Sequence, residues 1–442
     1  MILQRATLVM AVAEPTLRKG SFAQPSICLA PHIRYHGKTQ PAPYGNIESV
    51  FMNPTVIQWA RTTAGLSLEN AAAGLAMSAD RLNAIEQGDK PPSRPLLLKM
   101  SKLYRRSLLT FYLAAPPPQG DRGQDFRTLP PEHVTIDEPL LDALVRDVKA
   151  RQDMVRSLIK DEEDGQPLGF VGNGSIDAGV AAARNAICQH LSINLQEYRA
   201  RKSVSDAFEY LRSKAEDAGI FVLLMGSLGS HHSAISVETF RGFAIADDIA
   251  PFVIINDQDA KQAWSFTLLH EVAHIWLGAT GVSGGQAVQM IETFCNEVAS
   301  TFLLPRNDLS ALAVYDGMAA AEALPLITDF ARKRHLSRKM VSYVLHNVGR
   351  ISRETWQAID QAITDSRRRE KSQKPDTDSG PSYYVVRRHR LGKALLQLIN
   401  RNLGAGVISP VKAAKVLGVK PRSVYPLLVD KRASMTALGG RL

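Results

Sequence analysis

Cysteine is scarce in this chain. Cys28, Cys188 and Cys295 are the three among 442 residues, with no C-x-x-C and no paired spacing. Neither a disulfide framework nor a cysteine-built zinc site is expected, and a reducing, cytoplasmic setting fits best. Long apolar runs are also missing, so no membrane partner is expected. The opening "MILQRATLVMAVAEP" has an apolar patch of only about seven residues, the bottom of the range for a signal peptide. Acidic residues almost vanish near the end. Residues 383–442 hold twelve Lys and Arg against one acid, Asp430, a net +11 within a chain total of +10. The basic character therefore belongs to one segment and points there to a polyanionic partner.

What is present is enough apolar material, 45% of the residues, for sizeable cores. A chain of this length calls for two to four domains. Residues 1–50 mix Pro, Gly, Ser and scattered charge without period and read as a disordered leader, with Met52 a candidate start. Residues 51–115 read as a five-helix helix-turn-helix domain. Ser67 and Ser78 are N-caps around a tight turn, with Leu68, Ala71, Ala72 and Leu75 on one helix face. In that geometry the second helix enters the major groove, which makes Ser67, Ser78, Ala79, Asp80, Arg81 and Asn83 candidate DNA contacts.

Residues 116–205 read as a linker followed by helices, at about 135–163 and again from about 176 to 217. Strand-like runs follow at Ile220–Met225, Phe240–Ile245 and Phe252–Ile255. They belong to a small domain spanning 206–310, which also holds the motif "LLHEVAHIWLG". Residues 311–365 read as a helical module with a loose helix-turn-helix pattern, and 366–382 as a polar linker. The segment 383–442 repeats the first motif at a shift of 342. That shift pairs Ser67 with Ser409, Ala71 with Ala413, Ala72 with Ala414, Leu75 with Leu417, Met77 with Val419 and Leu82 with Val424. Lys420 and Arg422 open its second helix and are candidate phosphate contacts. The fold class is thus α+β and mostly helical, with a short sheet at its centre and helix-turn-helix-like modules at both ends.

The chemistry is concentrated in "LLHEVAHIWLG", residues 268–278. On a helix, His270 and His274 lie on one face and can present two imidazoles to a tetrahedral Zn²⁺, while Glu271 can hold a water on it. A third ligand is needed. The metzincin pattern fails, because Leu277 stands at its Gly position and Thr280 at its last His position. Glu292 and Glu297, on a following helix at about 288–303, are the candidates. Glu292 has small helical neighbours, Cys295 and Ala299, which let that helix pack closely. Glu297 lies on another face. Glu292 is taken as the ligand and Glu297 as a solvated or outer acid. Trp276 and Phe266 on the metal helix read as core, and His335 and His346 further on as surface or core histidines that are not ligands. The strand Phe252–Ile255 reads as the place where an extended peptide would add.

"HEVAH", followed eighteen residues later by "IETFCNEVASTFLLP", resembles the ImmA/IrrE family of zinc metallo-endopeptidases. The family pattern is H-E-x-x-H and then E-x-x-A-N-x-F-A-x-x-L-L-x-P. Glu292, Asn296, Ala299, Leu303 and Pro305 match it, and Cys295 and Val298 replace an Ala and a Phe as packing changes away from the ligands. The N-terminal segment resembles the Xre/Cro-type helix-turn-helix often fused to this family, with "DFR" (125–127) behind it. The resemblance covers about residues 51–360.

It implies a zincin-like (gluzincin) fold in miniature, with Zn²⁺ as cofactor, His270, His274 and Glu292 as ligands and Glu271 as general base. It also implies a protein substrate, a transcriptional repressor cut within an exposed segment. The expected function is a DNA-binding transcriptional regulator carrying a zinc endopeptidase, active as a homodimer on paired half-sites. The alternative is a DNA-bound repressor whose zincin-like domain senses a ligand or metal without proteolysis. His231 and His232, in the loop between the first two strands, are candidates for stabilising an oxyanion, against a reading as plain surface histidines.

Overall fold

The computed structural model describes residues 52–117, 137–161, 165–229, 233–278, 285–372 and 381–429, with 285–288 and 371–372 described at the backbone alone. The leader 1–50, "DFR" and His231–His232 lie outside the described residues. The unit beginning at Met52 carries all that is described. It is mostly helical, with one three-stranded sheet.

Four helices open it: α1 (Pro54–Thr62), α2 (Leu68–Leu75), α3 (Ala79–Gln87) and α4 (Arg94–Leu103). The fifth expected helix is a 3₁₀ turn, Leu108–Tyr112. Ser67 Oγ accepts from Asn70 N at 3.1 Å and Ser78 Oγ from Arg81 N at 3.3 Å, so both serines start their helices as N-caps. Ala76 ends α2 in the left-handed region, φ 57°, which turns the chain sharply into α3. A non-glycine residue there costs about 1–2 kcal/mol. The turn is held from below by Arg61, whose guanidinium grips Glu86 with two bonds (2.8 and 2.9 Å) and donates to Leu66 O at 2.8 Å. Such a buried, bidentate pair fixes the angle of α1 to α3.

Next come α5 (Glu138–Lys160), α6 (Val180–His190), α7 (Leu195–Arg199) and α8 (Val204–Asp217). The helical stretch read from about 176 to 217 is thus three helices. The strands are β1 (Phe221–Leu224), β2 (Gly242–Ile245) and β3 (Phe252–Ile255), in the order β1-β3-β2, with β1 parallel and β2 antiparallel to β3. β3 is therefore the central strand, hydrogen-bonded on both sides. Strand addition to Phe252–Ile255 is ruled out, because that strand has no free edge. On the outer side of β1, Arg212 donates to Val222 O at 2.6 Å. β2 is the other edge.

All twelve strand residues are buried, and they alternate between two cores. Val222, Leu224, Ala244, Val253 and Ile255 face a layer built from α6 to α13. Phe221, Leu223, Phe243, Ile245, Phe252 and Ile254 face α5 and the C-terminal helices. The first layer holds α9 (Lys261–Leu277), α10 (Gly285–Leu303), α11 (Ala320–Lys333), α12 (Arg338–Asn347) and α13 (Arg353–Ser372). In α11 and α12, Ile327, Phe330, Val341 and Leu345 belong to this core. α13 runs to Ser372, so the first seven residues of the expected linker 366–382 are helix. Arg338 to Glu370 (3.0 Å) and Arg367 to Asp259 (3.5 Å) anchor that charged end.

The last module is α14 (Tyr383–Leu391), α15 (Lys393–Gly404), α16 (Pro410–Leu417), a 3₁₀ turn Pro421–Ser423 and α17 (Val424–Leu428). The internal repeat is structural through its first helix. α16 has eight residues like α2, Ser409 caps it, and Gly418 (φ 60°) stands where Ala76 stands. The match ends at the second helix. Lys420 offers no side-chain cap and α17 has five residues, where α3 has nine.

Three of the twelve basic residues of this segment work inside the fold. Arg387 donates to Leu417 O and Gly418 O (2.9 and 2.7 Å), and Arg388 to Leu427 O, Pro426 O and Val429 O (2.8, 3.0 and 2.8 Å). These bonds satisfy orphan carbonyls at two helix C-termini. Arg390 pairs with Asp257 at 2.6 Å.

Candidate metal centre

α9 is apolar nearly all round and buried along most of its length, as a helix inside a layered core must be. Its two histidines are thereby carried into the interior, with His270 7%, Glu271 5% and His274 3% exposed. The helix ends at Gly278, in the left-handed region at φ 62°, where a Cβ would stand 2.7 Å from Gly172 Cα. That close approach lets Gly172 N and Gly174 N donate to the last carbonyls of α9, Ile275 O (3.1 Å) and Trp276 O (2.8 Å). Phe170 stacks on Trp276 at 6.1 Å, so the aromatic end of the metal helix is packing.

α10 lies against α9 and brings in Glu292. His270 Nε2 and His274 Nε2 are 3.0 Å apart, and they stand 3.3 and 3.2 Å from the two Glu292 oxygens. Three ligand atoms, two neutral-capable nitrogens and a carboxylate, thus converge on one point, and these residues could bind a metal ion. Burial alone would raise the Glu292 carboxyl, but the hydrogen bonds and charge of the two imidazoles outweigh it and carry it down to about 2. Burial also opposes the His274 imidazolium. Hydrogen bonds to Cys295 and Glu292 reverse that effect and hold His274 well above the usual 6.5.

Glu297 is exposed, roughly 140° around α10 from Glu292. It borders an open groove of about 490 Å³ lined by Ile176, Gln289, Met290, Thr293 and Phe294, which belongs to the outer face of α10.

Cys295 is fully buried in the core that α9 and α10 share, as a packing residue would be. Three residues on from Glu292, it lies on the same side of α10, near enough for its thiol and the His274 imidazole to influence each other's protonation. Burial pushes that thiol up, with His274 pulling the other way. The Nδ1 atoms of both histidines are buried and make no hydrogen bond among the described residues. The outer carboxylate or carbonyl that commonly orients a ligating imidazole has no counterpart there. Packing does the work, with Phe266 stacked on His270 at 6.1 Å.

Residues 215–345 match the IrrE N-terminal-like domain of the peptidase M78 family. The matched segment is just under a third of the chain and contains the sheet, α9, α10 and all three ligand positions. The match supports the ImmA/IrrE resemblance and a metallopeptidase-like function for this IrrE-like segment. No curated protein matches the chain, and no solved structure does.

The candidate DNA contacts lie outside the IrrE-like segment, in two places. Ser67, Ser78, Asp80, Arg81 and Asn83 are exposed at the start of α2 and along α3, and Ala79 is half-buried. The two serine hydroxyls are already used as caps. Lys420 and Arg422 are exposed at the 3₁₀ turn of the last module. His335 is buried, its ring against Arg201 O at 2.8 Å, and His346 stacks on Trp356 at 5.2 Å; both serve packing. No helix of the described residues is long and apolar enough to cross a membrane.

Three residues near the site carry no motif. Arg212 and Glu216 anchor the last module, and Gly242 stands against Glu271. A lone charged pair at i, i+4 inside an otherwise amphipathic helix signals little in sequence. The glycine at the head of "GFAI" is the one legible trace.

Proposed function

We propose that this chain is a zinc-dependent endopeptidase built into a DNA-binding transcriptional regulator, with a repressor protein as substrate. The observation that carries this reading is the convergence of His270, His274 and Glu292 beside Glu271. Their mutual spacing of 3.0–3.3 Å suits zinc, whose N and O ligands at about 2.0–2.1 Å in a tetrahedron lie about 3.3 Å apart. When bound, zinc supplies a Lewis acid for the scissile carbonyl and acidifies a water. Glu271 holds that water, accepts its proton and passes it to the departing amine nitrogen.

The peptide lies along β2. Asn256 N donates to Arg241 O, which puts positions 241, 243 and 245 in the hydrogen-bonded pairs with β3. The backbone groups of Gly242 and Ala244 then point away from β3, to the side on which we place the substrate strand.

DNA is the second partner. α3 enters the major groove with Arg81 and Asn83 at base edges, Lys420 and Arg422 bind phosphates, and a homodimer reads two half-sites. On a selected operator, Arg81→Ala should weaken binding roughly ten- to a hundredfold and relax one base position. Lys420→Ala should instead lower the salt slope by about one. Equal binding to all sequences by wild type and Arg81→Ala would remove α3 from the recognition role.

Proteolysis is tested by labelling new protein N-termini in cells that express wild type or Glu271→Gln. The expected result is one or a few cut sites, in a DNA-binding regulator, present with wild type alone. Identical N-termini in both would leave the sensor reading, in which the metal centre regulates without cutting.

A further inference from the structure

β2 lies closer to α9 than any side chain at its first residue would allow. Gly242 is buried, and a Cβ there would overlap Thr267 Cγ2 and stand 2.9 Å from Glu271 Oε1 and 3.0 Å from Ile254 O. The glycine is not there for its backbone, since its φ is not in the left-handed region. It is there for space. The opposing methyl is not free to swing away, because Thr267 Oγ1 bonds back to Ala263 O at 3.2 Å and a β-branched side chain in a helix holds few rotamers. Of the four β2 residues, the two facing α9 are the small ones, Gly242 and Ala244, while Phe243 and Ile245 fill the opposite core. The strand therefore rests on the helix with backbone, at the turn that carries Glu271.

We infer that Gly242 is a positioning residue for the proposed hydrolysis. Having no side chain, it lets β2 rest on the turn of α9 that carries Glu271 and so sets where the Glu271 carboxylate, and the water it holds, stand relative to the metal ligands. This rests on the endopeptidase reading, and it assigns the role to a residue that neither ligates metal nor moves a proton.

Four proteins test it: wild type, Gly242→Ala, Thr267→Ser, and the pair Gly242→Ala with Thr267→Ser. Each is loaded with zinc and assayed for metal content, for melting temperature, and by calorimetry for binding of acetohydroxamate, a small chelator that hydrogen-bonds a neighbouring carboxylate. Gly242→Ala should keep its zinc, melt lower and bind acetohydroxamate at least tenfold more weakly. Thr267→Ser removes the overlapped methyl, so the pair should recover the melting temperature and stay tenfold weak. Thr267→Ser alone should bind like wild type. If Gly242→Ala fails to fold, the pair carries the comparison. Affinity in the pair within twofold of wild type would overturn the inference, leaving Gly242 a packing residue. Loss of zinc from the pair would overturn it as well, because the effect would then run through the ligands. A wild type that takes no zinc would instead defeat the endopeptidase reading, and this inference with it.

Discussion

A chain that stops after residue 380 is expected to lose its cooperative melt, although every metal ligand and the whole sheet would remain. The reason is the second core. Phe221, Leu223, Phe243, Ile245, Phe252 and Ile254 are covered by α5 and by α14–α17, whose Leu391, Leu395, Ile399 and Leu417 pack onto them. Each large apolar side chain returned to water costs about 1.5–3 kcal/mol. Exposure of even half that face approaches the total stability of a domain, about 5–15 kcal/mol.

The truncation also leaves polar groups stranded. Arg212, 2% exposed, donates to His389 O at 2.6 Å, and Glu216 accepts from Lys393 N and Ala394 N at 3.0 and 3.2 Å, capping α15. Burial raises the Glu216 carboxyl, with Arg212 opposing. Near-UV circular dichroism during heating checks this result. A truncated chain that melts cooperatively within a few degrees of the full one would show that the last module is an appendage.

The second large effect is at the ligands, where acid and metal act in opposite directions. Glu292, carried to about 2, gives the metal-free protein stability that is complete above the usual 4.5 and lost as pH falls toward 2. His274, held above the usual 6.5, gives stability that is complete below 6.5 and lost as pH rises through its raised value. This site therefore stabilises the metal-free fold most between about pH 4.5 and 6.5. Zinc needs the imidazoles neutral, so its contribution grows with pH. Chelator-treated protein should melt lower at about pH 8.5 than at about 5.5, and the gap to the zinc-loaded protein should widen over the same range. In His274→Ala both trends should vanish. A gap that narrows toward high pH would contradict the ligand assignment.

The sequence was most legible where one residue type has one use. Ser67, Ser78 and Ser409 mark helix starts because a hydroxyl at that position satisfies an orphan N–H. The H-e-x-x-H helix was legible because two imidazoles four apart share a face. The β-runs were placed within two residues, but their order was not. "FVII" reads the same as a central strand or an edge, since burial on two faces leaves no polar alternation, and the peptide-binding role was given to a strand that has no free edge. The internal repeat was legible through Gly418 and misleading after it, because Pro421 and an uncapped Lys420 give a 3₁₀ turn where Ser78 starts a helix.

Net charge did not show that three of the basic residues in the last module work inside the fold. Arg387, Arg388 and Arg390 are spent on helix ends and Asp257, which no count of charges reveals.

The most direct test is zinc content per chain in wild type, His274→Ala, Glu292→Ala and Glu297→Ala. About one zinc should be present in wild type and in Glu297→Ala and absent from the other two, with the fold retained. A site that survives Glu292→Ala and fails in Glu297→Ala, or a wild type that binds none, would contradict the metal centre and the chemistry built on it.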